Sequence, residues 1–246
     1  MKKTIATFLL ALLPGLATAA GGGAHLEEVS VNIHDEAALQ RGAKLFSNFC
    51  LSCHSVEFQR WRRTAEDLGL SQDQVEKNLI PGDDTVNDMM DNVMPAEQAA
   101  NWFGTTPPDL SVVARSRSED WLYSYLKGFY LDDSRPFGVN NTVFSNVGMP
   151  HALWELEGLK KPVYKTVTGE DGEEHKVRDG FEYVTEGSMT HSEYDRAARD
   201  IVTFLSYVGE PARLERPTLG VWVIGFLAVL LVFAYFMKRE FWKDIH

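Results

Sequence analysis

Apolar residues recur at three- and four-residue steps from Ala38 through Leu39, Gly42, Leu45 and Phe46 to Phe49. That spacing predicts one amphipathic helix starting near Glu36, capped by Asp35 and running to residue 50. A glycine in mid-helix costs about 1 kcal/mol against alanine, so Gly42 points to a second helix crossing closely there. Residues 57–79 read as helical and polar outside, with Trp61, Leu68, Leu70, Val75 and Leu79 turned inward. Pro81-Gly82-Asp83-Asp84 is a turn signal, and the acidic run through Asp88 and Asp91 reads as solvated surface. Pro107-Pro108 cannot continue a helix. Beyond it Trp121, Leu122, Tyr125, Leu126 and Phe129 predict a helix from Glu119 to Tyr130. Residues 132–150 read as loop, punctuated by Pro136, Gly138, Asn140-Asn141, Gly148 and Pro150. Val163, Tyr164 and Val167, then Val177, Phe181, Tyr183 and Val184, flank Gly169-Glu170-Asp171-Gly172, which predicts a small β-hairpin. Ser192 is expected to cap a further helix with Ala197, Ile201, Phe204, Leu205 and Val208 on one stripe, ending near Gly209-Glu210-Pro211.

The two ends differ from this pattern. Leu219 to Met237 is 19 residues without a charge, long enough to cross a hydrocarbon core of about 30 Å. Lys2 and Lys3, the apolar run Ile5–Leu16 and Ala17-Thr18-Ala19 read as a secretory signal with its cleavage site. The expected division is therefore a signal peptide over 1–19, an exported domain over 20–212, and an anchor with a short basic cytoplasmic tail over 213–246. The chain carries 24 basic and 35 acidic residues, a formal net charge of −11. Without Lys2 and Lys3 the balance is 22 to 35, or −13. Such a charge repels nucleic acid and attracts basic partners.

The chemistry is concentrated in Cys50-Leu51-Ser52-Cys53-His54, which contains the only two cysteines of the 246 residues. C-x-x-C-H is the attachment signature of a c-type haem. Each thiol adds across a vinyl group, and the imidazole is placed to ligate the iron. The other readings are weaker. A disulfide between such close neighbours gives little entropic stabilisation, a thioredoxin-type pair wants a preceding strand, and a structural zinc site needs four ligands. An electron carrier also fills the second axial position, and methionine sulfur raises the reduction potential. Met89, Met90, Met94, Met149 and Met189 are candidates, with His151 as a further option; Met149, between Gly148 and Pro150, and Met94, before Pro95, stand in the most suitable loops. Haem carboxylates want cations, and Arg115 and Arg117 are the best-placed basic pair.

With its landmarks in order, the chain resembles the cytochrome c1 family, the haem subunits of quinol–cytochrome c oxidoreductase (cytochrome bc1) complexes. The landmarks are Arg41-Gly42 to Phe46, Cys50 to His54, Pro107-Pro108-Asp109-Leu110-Ser111 and Ala114-Arg115-Ser116-Arg117. They continue with Met149 in its loop, Ala198 to Leu205, Glu210-Pro211, and an anchor ending in Met237-Lys238-Arg239. The resemblance implies a mainly α-helical c-type cytochrome domain with a small β-hairpin insertion and one C-terminal transmembrane helix. It implies one covalently bound haem c on Cys50 and Cys53, with His54 and Met149 as iron ligands, Arg117 at a propionate and Trp121 near the haem. The function implied is electron transfer from a Rieske iron–sulfur protein to a soluble c-type cytochrome, in a dimeric complex with cytochrome b. Such a subunit is no enzyme by itself and sits in the bacterial inner membrane with its haem domain in the periplasm.

Overall fold

A computed structural model describes residues 26–168 and 174–244. The signal segment Met1–Ala19 and the Gly169–Gly172 turn lie outside the described residues. The chain runs α1 (Glu36–Phe49), β1 (Val56–Arg60), α2 (Trp61–Asp67), α3 (Gln72–Asn78), β2 (Met89–Met90), α4 (Ala96–Phe103) and α5 (Val113–Arg117). It continues with α6 (Glu119–Lys127), β3 (Phe129–Leu131), β4 (Val139–Asn141), α7 (Trp154–Glu157), β5 (Gly158–Thr168), β6 (Glu174–Glu186), α8 (His191–Gly209), a 3-10 turn (Pro211–Arg213) and α9 (Arg216–Phe241).

The core is the crossing of α1 and α8. Asp35 accepts the Ala38 N–H at 3.0 Å and starts α1 where the pattern predicts. A Cβ on Gly42 would fall 2.1 Å from the Asp200 carbonyl oxygen and 2.8 Å from Phe204 Cβ. The two backbones therefore touch at a spacing that only glycine permits. Phe46 and Phe204 close the same contact with ring centroids 5.5 Å apart. Beside it Arg41 donates from Nε and Nη2 to the buried Asp200 carboxylate at 2.6 and 3.1 Å. That geometry ties the middle of the attachment helix to α8 by a paired, charge-assisted contact.

Several elements differ from the periodicity reading. Residues 56–60 form a strand rather than helix, because β1 pairs antiparallel with β2 in the register Val56↔Met90 and Arg60↔Met89. Of the expected inward residues, Trp61, Leu68, Val75 and Leu79 are buried and Leu70 only partly so. Helix α4 was not announced by the pattern. Helix α6 stops at Lys127, and Phe129 enters β3, which pairs with β4 from Phe129↔Asn141 to Leu131↔Val139. The segment 132–150 thus contains a strand, and its Asn140 and Asn141 are buried. Thr190, not Ser192, caps α8 through a reciprocal bond pair with Glu193. The hairpin is longer than expected, pairing from Gly158↔Glu186 to Thr168↔Glu174. Val163, Tyr164, Val167, Val177 and Val184 are exposed on it.

Helix α9 has 26 residues, none of them buried, and at 1.5 Å per residue spans about 39 Å. It is the one helix among the described residues long and apolar enough to cross a membrane, and it joins the core through the 3-10 turn directly after α8.

Candidate functional site

Cys50 is the C-cap residue of α1, and its backbone N–H donates to Phe46 O at 2.9 Å. The next turn continues tightly, with the Cys53 and His54 N–H groups both donating to Cys50 O at 3.0 and 2.9 Å. Cys50, Cys53 and His54 therefore leave the helix end as one compact turn. Cys50 lies among Phe46, Leu51 and other buried apolar residues. Burial, aided by the nearby Cys53 sulfur, pushes its thiol up to about 12. A thiol so resistant to ionisation is a poor redox or metal partner, whereas an uncharged thioether suits the same surroundings.

His54 Nδ1 lies 2.8 Å from the carbonyl oxygen of Pro108. A carbonyl only accepts, so Nδ1 carries the proton and donates, and Nε2 presents its lone pair. Burial lowers the imidazole's pKa from the ordinary value, opposed in part by the Pro108 bond and Asp109. A neutral ring with its tautomer fixed by an outer carbonyl is the form that ligates a metal. Ring placement follows from the Pro107-Pro108 segment, which is also bonded to the strand side: Leu110 N–H donates to Ser55 O, and Asp109 accepts the Glu57 N–H at 2.9 Å.

The second half of the site is built on α6. Trp121 and Tyr125, four residues apart, stack with centroids 4.9 Å apart and planes within 9°. The Arg117 guanidinium carbon sits 5.2 Å from the centre of the Trp121 ring. Phe129 meets Tyr125 edge-on at 5.3 Å. The Tyr125 hydroxyl donates to Met149 Sδ at 3.4 Å. Arg117, Trp121, Tyr125 and Met149 thus form one continuous ladder. Met149 packs with Phe129, Val139 and Val147 in a small cluster separate from the main core. The buried Asn140 and Asn141 hold the surrounding loop: Asn140 accepts the Asn146 N–H, and Asn141 bonds Tyr125 O, Val143 N and Phe144 N.

The two halves meet at Gly148. A Cβ placed there would lie 3.3 Å from Phe103 O and 3.5 Å from Thr105 Cγ2. The methionine loop therefore rests on the segment that runs on to Pro108, which fixes His54.

The other candidates fall elsewhere. Met89 is exposed, and Met90 is buried in β2, where Thr64 donates to its sulfur at 3.4 Å. Met189 packs on the main core. Met94 lies beside the attachment turn, since its N–H donates to Asn92, which in turn donates to Cys53 O at 3.2 Å. Arg115 is not part of the ladder: its Cγ and Cδ lie against Gly209, at the end of α8. His151 is buried and stacks on Phe129 at 4.9 Å, with Nε2 turned to within 3.0 Å of Glu157. An open groove of about 490 Å³ at the α5–α6 junction is lined by Arg115, Arg117, Glu119 and Asp120 among others. Its mixed charges do not make the apolar cradle a porphyrin needs. Periodicity missed Tyr125 as a partner of Met149, the Pro108 carbonyl, the Asn140-Asn141 pair and the approach of His151 to Glu157, because each depends on separate chain segments meeting.

The cytochrome C1 family matches residues 27–245. The chain belongs to the cytochrome c1 family. It is 47% identical to a cytochrome c1 of Allochromatium vinosum, over all of this chain and 99% of that one. It is also 39% identical to a protein of Nitrosomonas europaea named ammonia monooxygenase gamma subunit, over 99% of this chain and all of that one. A cytochrome c1 of Rhodospirillum rubrum is 26% identical over 94% of this chain. As a member of that family, the protein carries one covalently attached haem c and is a haem electron-transfer subunit of a cytochrome bc1 complex, alongside cytochrome b and Rieske subunits. Helix α9 fits the single membrane anchor of that family. The mainly helical fold with its hairpin agrees with the expected class.

Proposed function

We propose that Cys50 and Cys53 hold the haem as thioethers, that His54 is the proximal iron ligand and that Met149 is the ligand on the opposite face. The observation that carries this reading is the contact at Gly148: the loop bearing Met149 rests on Phe103 and Thr105, a few residues before the carbonyl that orients His54. The haem supplies a reversible one-electron couple. The protein's residues do the rest: Pro108 keeps His54 neutral and aimed, Tyr125 orients the sulfur, and the apolar cluster around Met149 excludes water and competing ligands. Arg117, stacked on Trp121, pairs with a propionate, while Arg115, the other basic candidate, packs its side chain on Gly209 away from that ladder.

In this reading a Rieske iron–sulfur protein supplies the electron and a soluble c-type cytochrome accepts it, within a dimeric complex. Removal of residues 1–19 leaves residues 20–212 as a periplasmic domain, and residues 213–246 anchor it in the bacterial inner membrane with a basic tail inside. Asp83, Asp84, Asp88 and Asp91 are exposed, and the run leads into Asn92, which is bonded to Cys53 O. Thr85, through its N–H and hydroxyl, holds the Asp88 carboxyl below its ordinary value. This run, with Glu174 on the hairpin, offers a negative face to a basic carrier. Long-range attraction of this kind is screened at about 0.15 M salt. Stopped-flow oxidation of the reduced complex by a basic c-type cytochrome tests it: the second-order rate falls steeply with rising ionic strength. A rate independent of salt overturns the acidic docking face.

A further inference from the structure

The base of the hairpin buries a group of titratable side chains that electron transfer does not itself require. His151, Glu157 and Lys160 have side chains 5%, 2% and 6% exposed. Lys160 Nζ donates to Glu157 Oε1 and, at 2.6 Å, to the backbone oxygen of Lys127. Its ammonium also lies 4.9 Å from the centre of the Phe181 ring. The other carboxylate oxygen of Glu157 lies 3.0 Å from His151 Nε2. Burial, with Glu157 beside it, raises Tyr194 well above its ordinary value, and the Tyr194 hydroxyl donates to Leu126 O at 2.8 Å.

Burying an ion pair costs more than its attraction returns unless the geometry is closely satisfied, and its best-attested use is to specify one arrangement. Here the arrangement joins three parts. Lys160 and Glu157 belong to the hairpin base. The Lys127 and Leu126 carbonyls are the last turn of α6, the helix that carries Trp121 and Tyr125. His151 lies two residues beyond Met149 and is stacked on Phe129 with its plane within 5°. The Met149 loop thus meets the hairpin where the His151 ring faces Glu157 at 3.0 Å, a close approach without a formed hydrogen bond, and the hairpin is tied through Lys160 to the helix whose tyrosine donates to Met149 Sδ.

We propose that the His151–Glu157–Lys160 cluster is a positioning clamp that holds the Met149 sulfur in place, so that the hairpin sets the strength of the sulfur–iron bond. The proposal rests on Met149 being the ligand. Outer partners of metal ligands are worth about 10- to 100-fold in affinity. Loosening the clamp lets an exogenous ligand displace the sulfur correspondingly more easily.

The test is imidazole binding to the ferric full-length protein in detergent, followed optically, for wild type, Glu157→Gln, Lys160→Met, Lys160→Arg and Met149→Leu. Chemical unfolding is measured on each. The clamp predicts that Glu157→Gln and Lys160→Met keep covalently attached haem, bind imidazole about 10- to 100-fold more tightly than wild type, and lose intensity in the sulfur-to-iron band. Lys160→Arg stays near wild type. Lys160→Met keeps a long side chain over Phe181 and carries the test alone if Glu157→Gln does not accumulate. If Met149→Leu binds imidazole tightly while both clamp variants match wild type, the clamp is wrong and the ligand assignment stands. If Met149→Leu itself matches wild type, the ligand assignment falls and takes the clamp with it. A gain in imidazole affinity that only tracks loss of global stability also overturns the proposal.

Discussion

His54 Nδ1 donates to the Pro108 carbonyl at 2.8 Å, which fixes the ring by backbone rather than by another side chain. If His54 is the proximal ligand as proposed, that position survives side-chain changes around it but not loss of the imidazole. His54→Gly is expected to keep haem on Cys50 and Cys53 where maturation proceeds, with a high-spin spectrum. Added imidazole, free to occupy the vacated volume, restores a low-spin spectrum. A low-spin His54→Gly protein without imidazole contradicts the role given to His54.

Met149 is held between the Tyr125 hydroxyl and the Phe129–Val139–Val147 cluster. Met149→Leu preserves apolar volume and removes the sulfur. Haem remains attached, the ferrous iron binds carbon monoxide, and the midpoint potential falls by on the order of 100 mV, within the roughly 0.8 V that axial ligands command. Met94→Leu, beside the attachment turn, leaves all three unchanged. Redox titration of the two variants side by side decides between the two methionines.

Arg115 and Arg117 are two residues apart yet sit in different surroundings. Arg117 lies over Trp121 in the ladder that ends at Met149, while Arg115 packs on Gly209. A cation lost near the haem stabilises the oxidised form. With Arg117 at a propionate as proposed, Arg117→Leu lowers the potential by on the order of 50 mV, the size of a unit charge acting at about 10 Å through a medium of intermediate dielectric. Arg115→Leu shifts it much less. Equal shifts would place both guanidiniums at the propionates.

The α1–α8 crossing leaves no room at Gly42, where a Cβ would sit 2.1 Å from the Asp200 oxygen. Gly42→Ala is expected to cost about 3 kcal/mol, the upper range for overpacking. Arg41→Ala leaves the buried Asp200 carboxylate without its partner and costs about 2 kcal/mol, the worth of a hydrogen bond to a charged group. Denaturant unfolding of the haem-loaded protein measures both, and the reverse order would contradict the crossing geometry.

The parts of the fold that sequence reveals are those governed by neighbours along the chain. Asp35 and the stripe to Phe49 specify α1, the alternation around Val163 and Val177 specifies the hairpin, and the uncharged run after Leu219 specifies α9. Gly42 pointed to a crossing helix because its cost needs a packing reason. The strands β1 to β4 were invisible because each is two to five residues long and is held by pairing across the chain. Residues 56–60 bury Val56 and Gln59 and expose Glu57 and Phe58, a spacing that suits a helix as well as a bulged strand. Of the proposed site, Cys50-x-x-Cys53-His54 stands out in the sequence because covalent attachment demands fixed spacing. Met149 is only one of several methionines in the sequence, and the family resemblance is what singles it out as the proposed ligand. Glu157 and Lys160 gave no signal at all, since a glutamate and a lysine three apart look like solvated surface until Lys127 and His151 close around them.

The account depends most on a haem whose iron is closed on both faces, by His54 and Met149. The direct measurement is the optical spectrum of the purified full-length protein, reduced by dithionite and then exposed to carbon monoxide. The account predicts a low-spin c-type spectrum that carbon monoxide leaves unchanged. A ferrous spectrum that shifts fully on adding the gas, in undamaged wild-type protein, would contradict it.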